Sequence, residues 1–205
     1  MNGAPAKDPL RVAIVGLGPK GLFALERLVQ HTRALGEGAL EVTVYEPHPV
    51  PGAGPVYDPG QPDYLRMNFA AELVDMWPRG AGGGPSFSEW RLEVPGLATD
   101  AYPPRADVGR YLADGFERVS ASARKSMSLE LCPEDVTALA PSSRGWSVTA
   151  SRSREYDDVL IATGHAWSWD GELSSTHPPP ADIVPKVFPV EQELSSERIP
   201  AGATV

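Results

Sequence analysis

Hydrophobic positions along this chain fall into two spacings, short continuous runs and helical stripes, and their order sketches an α/β fold. Val12-Ala13-Ile14-Val15 is continuously apolar, as in a strand buried on both faces of a parallel sheet. Leu22, Leu25, Leu28 and Val29 then recur at helical spacing, with Gly36 as the expected stop. Leu40 to Tyr45 reads as a second strand. Val108, Tyr111, Leu112 and Phe116 predict a longer helix from Arg105 to Ala123, which Gly109 and Gly115 weaken without ending. Residues 128–131, 136–140, 146–150 and 156–162 read as further strands. The tight connection at 141–145 predicts a β-meander, and the apolar run 159–162 is expected to rejoin the parallel sheet before a sharp turn at Thr163-Gly164.

Two stretches break this rhythm. Residues 47–104 are dense in proline and glycine, too punctuated for regular sheet, with less loop-like patches at 64–69 and at 87–92, where Ser86 is the expected N-cap. Gly82-Gly83-Gly84 reads as a flexible bend. A long irregular segment inside a compact domain is usually a lid or a binding loop, so this insertion is expected to border a ligand, the alternative being a solvated insertion. From 168 to 205 there is no strong periodicity and proline recurs, as in a tether, and Ala203-Thr204-Val205 begins to read as a strand too short to pair usefully.

The candidate chemistry sits between the first strand and the first helix. Gly16, Gly18 and Gly21 stand as G-x-G-x-x-G, with Leu17, Pro19 and Lys20 between them. In that pattern the first glycine allows the tight turn, the second lets the backbone approach a phosphate, and the third lets helix and strand pack closely. The helix N-terminus adds N–H donors and partial positive charge for the anion. The second strand ends at Glu46, 25 positions after Gly21, somewhat beyond the usual ~20. Glu46 is the candidate acceptor for a ribose hydroxyl, and an acid there disfavours a 2′-phosphate. The pattern therefore predicts a bound dinucleotide, with NADP a poor first ligand.

Composition removes other classes. Eighteen basic against 27 acidic residues give a net charge of −9, which argues against a nucleic-acid surface or attraction to anionic lipid. The first nine residues lack a signal core and no run approaches the ~18 apolar residues of a membrane span, so a cytoplasmic protein without membrane contact is expected. Cys132 is the single cysteine, which excludes an intramolecular redox disulfide and reads as a structural thiol. His31, His48, His165 and His177 show no i, i+4 pair, so no metal site is expected.

Five segments carry a more specific likeness: VAIVGLGPKGLFALERL at 12–28, GPVYDPGQPDYLRMN at 54–68, SFSEW at 86–90, YPPRADVGRYL at 102–112 and DDVLIATGHAW at 157–167. Together they resemble the FAD/NAD(P)-binding flavoproteins related to flavin-containing and N-hydroxylating monooxygenases. The resemblance implies a Rossmann-like, glutathione-reductase-type FAD-binding domain over 1–167, with 47–104 as a cofactor-bordering insertion and 168–205 as a linker. It implies that Gly16 to Gly21 hold the FAD pyrophosphate and Glu46 the adenosine ribose. It places the backbone of Val136, opening the meander's second strand, at the adenine, Met67 and Asn68 near the isoalloxazine, and Ala162, Thr163 and Gly164 on the strand end beneath the flavin.

Some positions stay open. Arg66 departs from the aliphatic residue expected there, Arg105 is either an anion-facing residue or a helix-start charge, and His165 either faces the flavin or caps a turn. Family members continue into a second glycine-rich motif that binds NAD(P)H, of which only the approach at 199–205 stands here, so that site is expected from further chain or a partner polypeptide. The implied function is the FAD-binding portion of a flavin-dependent oxidoreductase of the monooxygenase type, with no catalytic residue assigned. The alternatives are a non-catalytic FAD-binding subunit and, on the same turn, an NAD-dependent dehydrogenase.

Overall fold

In β1 (Leu10–Val15) the side chains alternate between two cores, which is why the run can be apolar throughout. Val12 and Ile14 pack with the helices, while Ala13 and Val15 pack with Tyr45, Cys132, Val148 and Tyr156 on the opposite face. The computed structural model describes residues 8–32, 38–78, 83–97, 99–165, 192, 195 and 197–199. Gly36, Gly82, His177, Ala203 to Val205 and most of the expected tether lie outside them.

The chain proceeds from β1 to α1 (Pro19–Thr32) and β2 (Leu40–Tyr45), through the insertion with α2 (Phe87–Glu93), to α3 (Arg105–Ala123) and β3 (Ser128–Cys132). It then forms β4 (Ala138–Pro141), β5 (Trp146–Thr149), β6 (Ser153–Tyr156) and β7 (Asp158–Ile161). A parallel sheet of order β3-β2-β1-β7 carries α1 and α3 on one face, and the antiparallel sheet β4-β5-β6 contributes Val148 and Tyr156 to the core on the other. This is the layered α/β, Rossmann-like arrangement the sequence implies.

Three expectations are corrected. The run 156–162 is two strands: β6 closes the meander, and after Asp157 the chain crosses into the parallel sheet as β7, with Asp158 opposite Val12. The transfer is fixed at one residue, because the Asp157 N–H donates to the Arg11 carbonyl while its carboxylate accepts the Arg11 N–H at 2.7 Å and pairs with Arg144. Second, β3 belongs to the parallel sheet beside β2, so the meander's first strand is β4 and Val136 precedes it. Third, Gly83 and Gly84 lie flat against the Trp77 indole, where any Cβ would overlap the ring, so close packing explains these glycines.

The insertion is pinned at both ends. The Met67 N–H donates to the Pro103 carbonyl, Ala71 to Ala101, and Arg105 to Leu65, each within 3.0 Å, and Arg66 bridges to Pro104. Its middle hangs on Tyr111 of α3, whose hydroxyl donates to the Pro85 carbonyl at 2.9 Å and accepts from Met76 N–H at 3.3 Å, inside an aromatic cluster with Phe87 and Trp90. α2 opens on the expected Ser86 cap, completed by a reciprocal Glu89 contact. Among the described residues no helix is long and apolar enough to cross a membrane.

Candidate functional site

The three glycines of the first turn are required for different reasons. Gly16 has φ +92°, and a Cβ there would lie 2.5 Å from the Ala162 carbonyl oxygen, so this position brings β1 against the end of β7. A Cβ on Gly21 would overlap the Gly16 carbonyl, so this position lets α1 start directly on the turn. Gly18 differs: its φ is not positive and an added Cβ would meet nothing within 4 Å among the described residues. Neither strain nor packing among the described residues calls for glycine at 18. The space over Gly18 fits a ligand backbone approach, beside the opening turn of α1, where Pro19 occupies the first helical position without losing a needed N–H.

Glu46 is locked onto this turn. It is only 7% exposed, its Oε2 accepts the Leu17 N–H at 2.5 Å, and its Oε1 accepts the His48 N–H at 2.8 Å. Each oxygen keeps a lone-pair direction for a further donor such as a ribose hydroxyl. The Glu46 N–H donates in turn to the Cys132 carbonyl at 2.9 Å, which brings the start of the 133–137 segment, with half-buried Val136, to the same end of the sheet. Gly16 N–H donates to Tyr45 O at 2.8 Å, and Ala162 N–H to Val15 O at 2.7 Å. Gly16 to Gly21, Glu46, Ala162 and Thr163 thus converge at the carboxyl ends of adjacent parallel strands, the place where open α/β sheets bind ligands.

The remaining candidates lie further round this end. Gly164 turns the chain with φ +75°, and Thr163, Gly164 and His165 are exposed. Met67 is buried and Asn68 exposed where the insertion's two ends meet the start of α3. Arg105 opens α3 with its Nε donating to the Arg66 carbonyl at 3.3 Å, and Arg66 pairs with Asp100 at 2.6 Å. Both arginines are engaged with the insertion, and among the described residues neither pairs with the glycine turn. Lys20 points into solvent. Burial, and then the Glu130 contact, push the Cys132 thiol above its ordinary value, which fits a structural role.

Sequence reasoning missed the loop that roofs the turn. Gly52 N–H donates to the Leu17 carbonyl at 2.8 Å, and Gly52, at φ +90°, wedges between Leu22 and the Leu112 carbonyl. Gly54, at φ +62°, lies with its Cβ direction 3.2 Å from the Gly18 Cα. The following Tyr57 carbonyl packs onto Gly109, which explains that glycine inside α3. The P-G-A-G at 51–54 was the available signal.

The comparisons with known proteins agree with this geometry. The FAD-NAD(P)-binding family matches residues 13–166. Over 192 residues the chain is 33% identical to an L-aspartate N-monooxygenase (nitrosuccinate-forming) of Streptomyces cremeus, covering 76% of this chain and 29% of that protein. Over 169 residues it is 37% identical to a nitrosuccinic acid synthase of Aspergillus oryzae, covering 75% and 26%. The chain therefore spans under a third of the length of these relatives. A bacillithiol disulfide reductase of Staphylococcus aureus superposes with a TM-score of 0.50 at 16% identity, covering 77% of this chain and 39% of that one, a likeness of fold alone. With the glycine turn, its acidic partner and the parallel sheet in place, the chain belongs to the FAD-NAD(P)-binding family of flavoproteins, and its cofactor is FAD.

Proposed function

We propose that this chain is the FAD-binding portion of a flavin-dependent monooxygenase, with Gly16 to Gly21 holding the pyrophosphate and Glu46 the adenosine ribose. The observation that carries the assignment is the empty approach over Gly18, next to a carboxylate held on the same turn. A bound flavin supplies electron transfer and oxygen activation. The chain's own residues bind and orient: α1 directs backbone N–H groups at the diphosphate, Glu46 accepts ribose hydroxyls, and Ala162 to Gly164 bound the floor. The Val136 backbone is assigned to the adenine, Met67 and Asn68 to the flavin edge. Arg105 and His165 are kept as secondary contacts.

The names of the relatives support monooxygenase chemistry. The reading takes 1–167 as the FAD-binding unit and 168–205 as a linker, working in the cytoplasm. NAD(P)H is the proposed reductant, bound by further chain or a partner polypeptide.

The test is Gly18→Ala. The wild-type chain is expected to carry flavin absorbance and to gain about 2.7 kcal/mol of stability at FAD a hundredfold above Kd. Gly18→Ala should leave the stability of the FAD-free chain within about 0.5 kcal/mol, because its Cβ meets open space, while weakening FAD about tenfold or more. A wild-type chain that takes up no FAD, or a variant that binds it equally, overturns the assignment.

A further inference from the structure

Residues 47–51 read P-H-P-V-P, so this segment has backbone N–H groups only at His48 and Val50. Both are committed to side chains: His48 N–H to Glu46 Oε1 at 2.8 Å, and Val50 N–H to the His48 ring Nδ1 at 3.2 Å. Nδ1 also lies 3.3 Å from the Val50 carbonyl, and the Nε2–H is donated to Asp58 Oδ2 at 2.9 Å, since a carboxylate oxygen accepts. The other Asp58 oxygen accepts the Gly60 N–H at 2.7 Å. No sheet ladder holds this crossing. Its far end is tied by the Gly52 N–H to the Leu17 carbonyl, and between Glu46 and that tie His48 is the residue whose backbone N–H meets the carboxylate and whose ring reaches Asp58. The ring is largely buried and Asp58 half-buried, at 15% and 35% side-chain exposure.

We infer that His48 is a positioning residue for the nucleotide ribose, acting through Glu46, with Asp58 as its anchor. The inference rests on the assignment of Glu46 to the ribose. Without the ring, the P-H-P-V-P segment keeps its end tie at Gly52 but loses the ones to Asp58 and to the Val50 N–H, so the His48 N–H is free to shift from Glu46 and leave Leu17 as the carboxylate's firm partner. A carboxylate held at one oxygen can rotate, and its selectivity for the ribose hydroxyl falls before its general role in the loop does.

The experiment measures Kd of the intact chain for FAD and for FAD lacking the 2′-hydroxyl of its adenosine ribose. Wild type is expected to prefer FAD about tenfold or more, the scale of a hydrogen bond to a charged acceptor. In His48→Ala the preference should fall to within about twofold, chiefly through weaker FAD binding. Asp58→Ala should do the same, the double variant should lose no more than either single one, and His48→Gln, which can still donate to Asp58, should recover part of the preference. Equal weakening of both ligands, or a preference retained in His48→Ala, overturns the role of His48 while leaving Glu46 in place. Wild type binding both ligands alike removes the ribose role of Glu46 and this inference with it.

Discussion

The two sides of the ligand end are built by different physics. On the β1-turn-α1-β2 side, position is set by the backbone: a parallel register from Leu10 opposite Leu40 to Val15 opposite Tyr45, and glycines where any Cβ would strike a carbonyl. In the insertion at 47–104 there is little ladder, and individual side chains hold irregular backbone: Tyr111 on Pro85 and Met76, Arg66 on Asp100, Trp77 on Gly83 and Gly84. The first construction cannot yield locally, because each residue's place is fixed by its neighbours on both sides. The second can be loosened one anchor at a time, which suits the proposed role of this segment beside the cofactor.

The contrast predicts unequal damage. Gly21→Val should be the most severe change, because the branched side chain would overlap the Gly16 carbonyl and force α1 away from β1. A loss above about 4 kcal/mol is expected, read as failure to fold or a collapsed denaturant midpoint. A soluble, cooperatively unfolding variant near wild-type stability would mean the turn is not rigid.

Tyr111→Ala removes an anchor of the other kind. It takes away a fully buried ring packed edge-on against Phe87 and tilted against Trp90, and two hydrogen bonds to the insertion. About 3–5 kcal/mol of stability should be lost. Proteolysis should show the asymmetry, with early cleavage between 74 and 94 while β1, α1 and β2 stay protected. Uniform cleavage along the chain would remove the distinction between the two sides.

The same division decides what could be read from the amino acids. β1, α1, β2 and α3 were legible because burial on defined faces imposes a period, and G-x-G-x-x-G followed by Glu46 was legible because the motif is itself a statement about backbone geometry. The return of 159–162 to the parallel sheet was legible as well, but the break at Asp157 was not, since no turn residue interrupts 156–162 and the break depends on Asp157 meeting Arg11 and Arg144 from elsewhere in the chain. β7 also reads as a buried strand yet takes an edge place in the described sheet, with Ile161 61% exposed. His48 could not be singled out, because its role depends on Asp58 returning to it ten residues later. Composition had shown only that 47–104 was irregular, not which residues fasten it.

Asp157 gives the finest test, since it is a side-chain anchor placed on the backbone-built side. Its carboxylate is held below the usual range, first by the Arg11 N–H and then by Arg144. A depressed folded value means that the stabilisation is present above the unfolded pKa of about 3.9 and is lost as pH falls through the folded one. Asp157→Asn keeps the shape and removes the charge, so it should lower Tm modestly at neutral pH. The gap from wild type should narrow steadily below about pH 4 and close where wild-type Asp157 is protonated. The meander should remain attached throughout, because the Asp157 N–H still donates to the Arg11 carbonyl. A gap that does not change with pH would show that the carboxylate's charge plays no part in the junction, leaving the backbone pair to fix it alone.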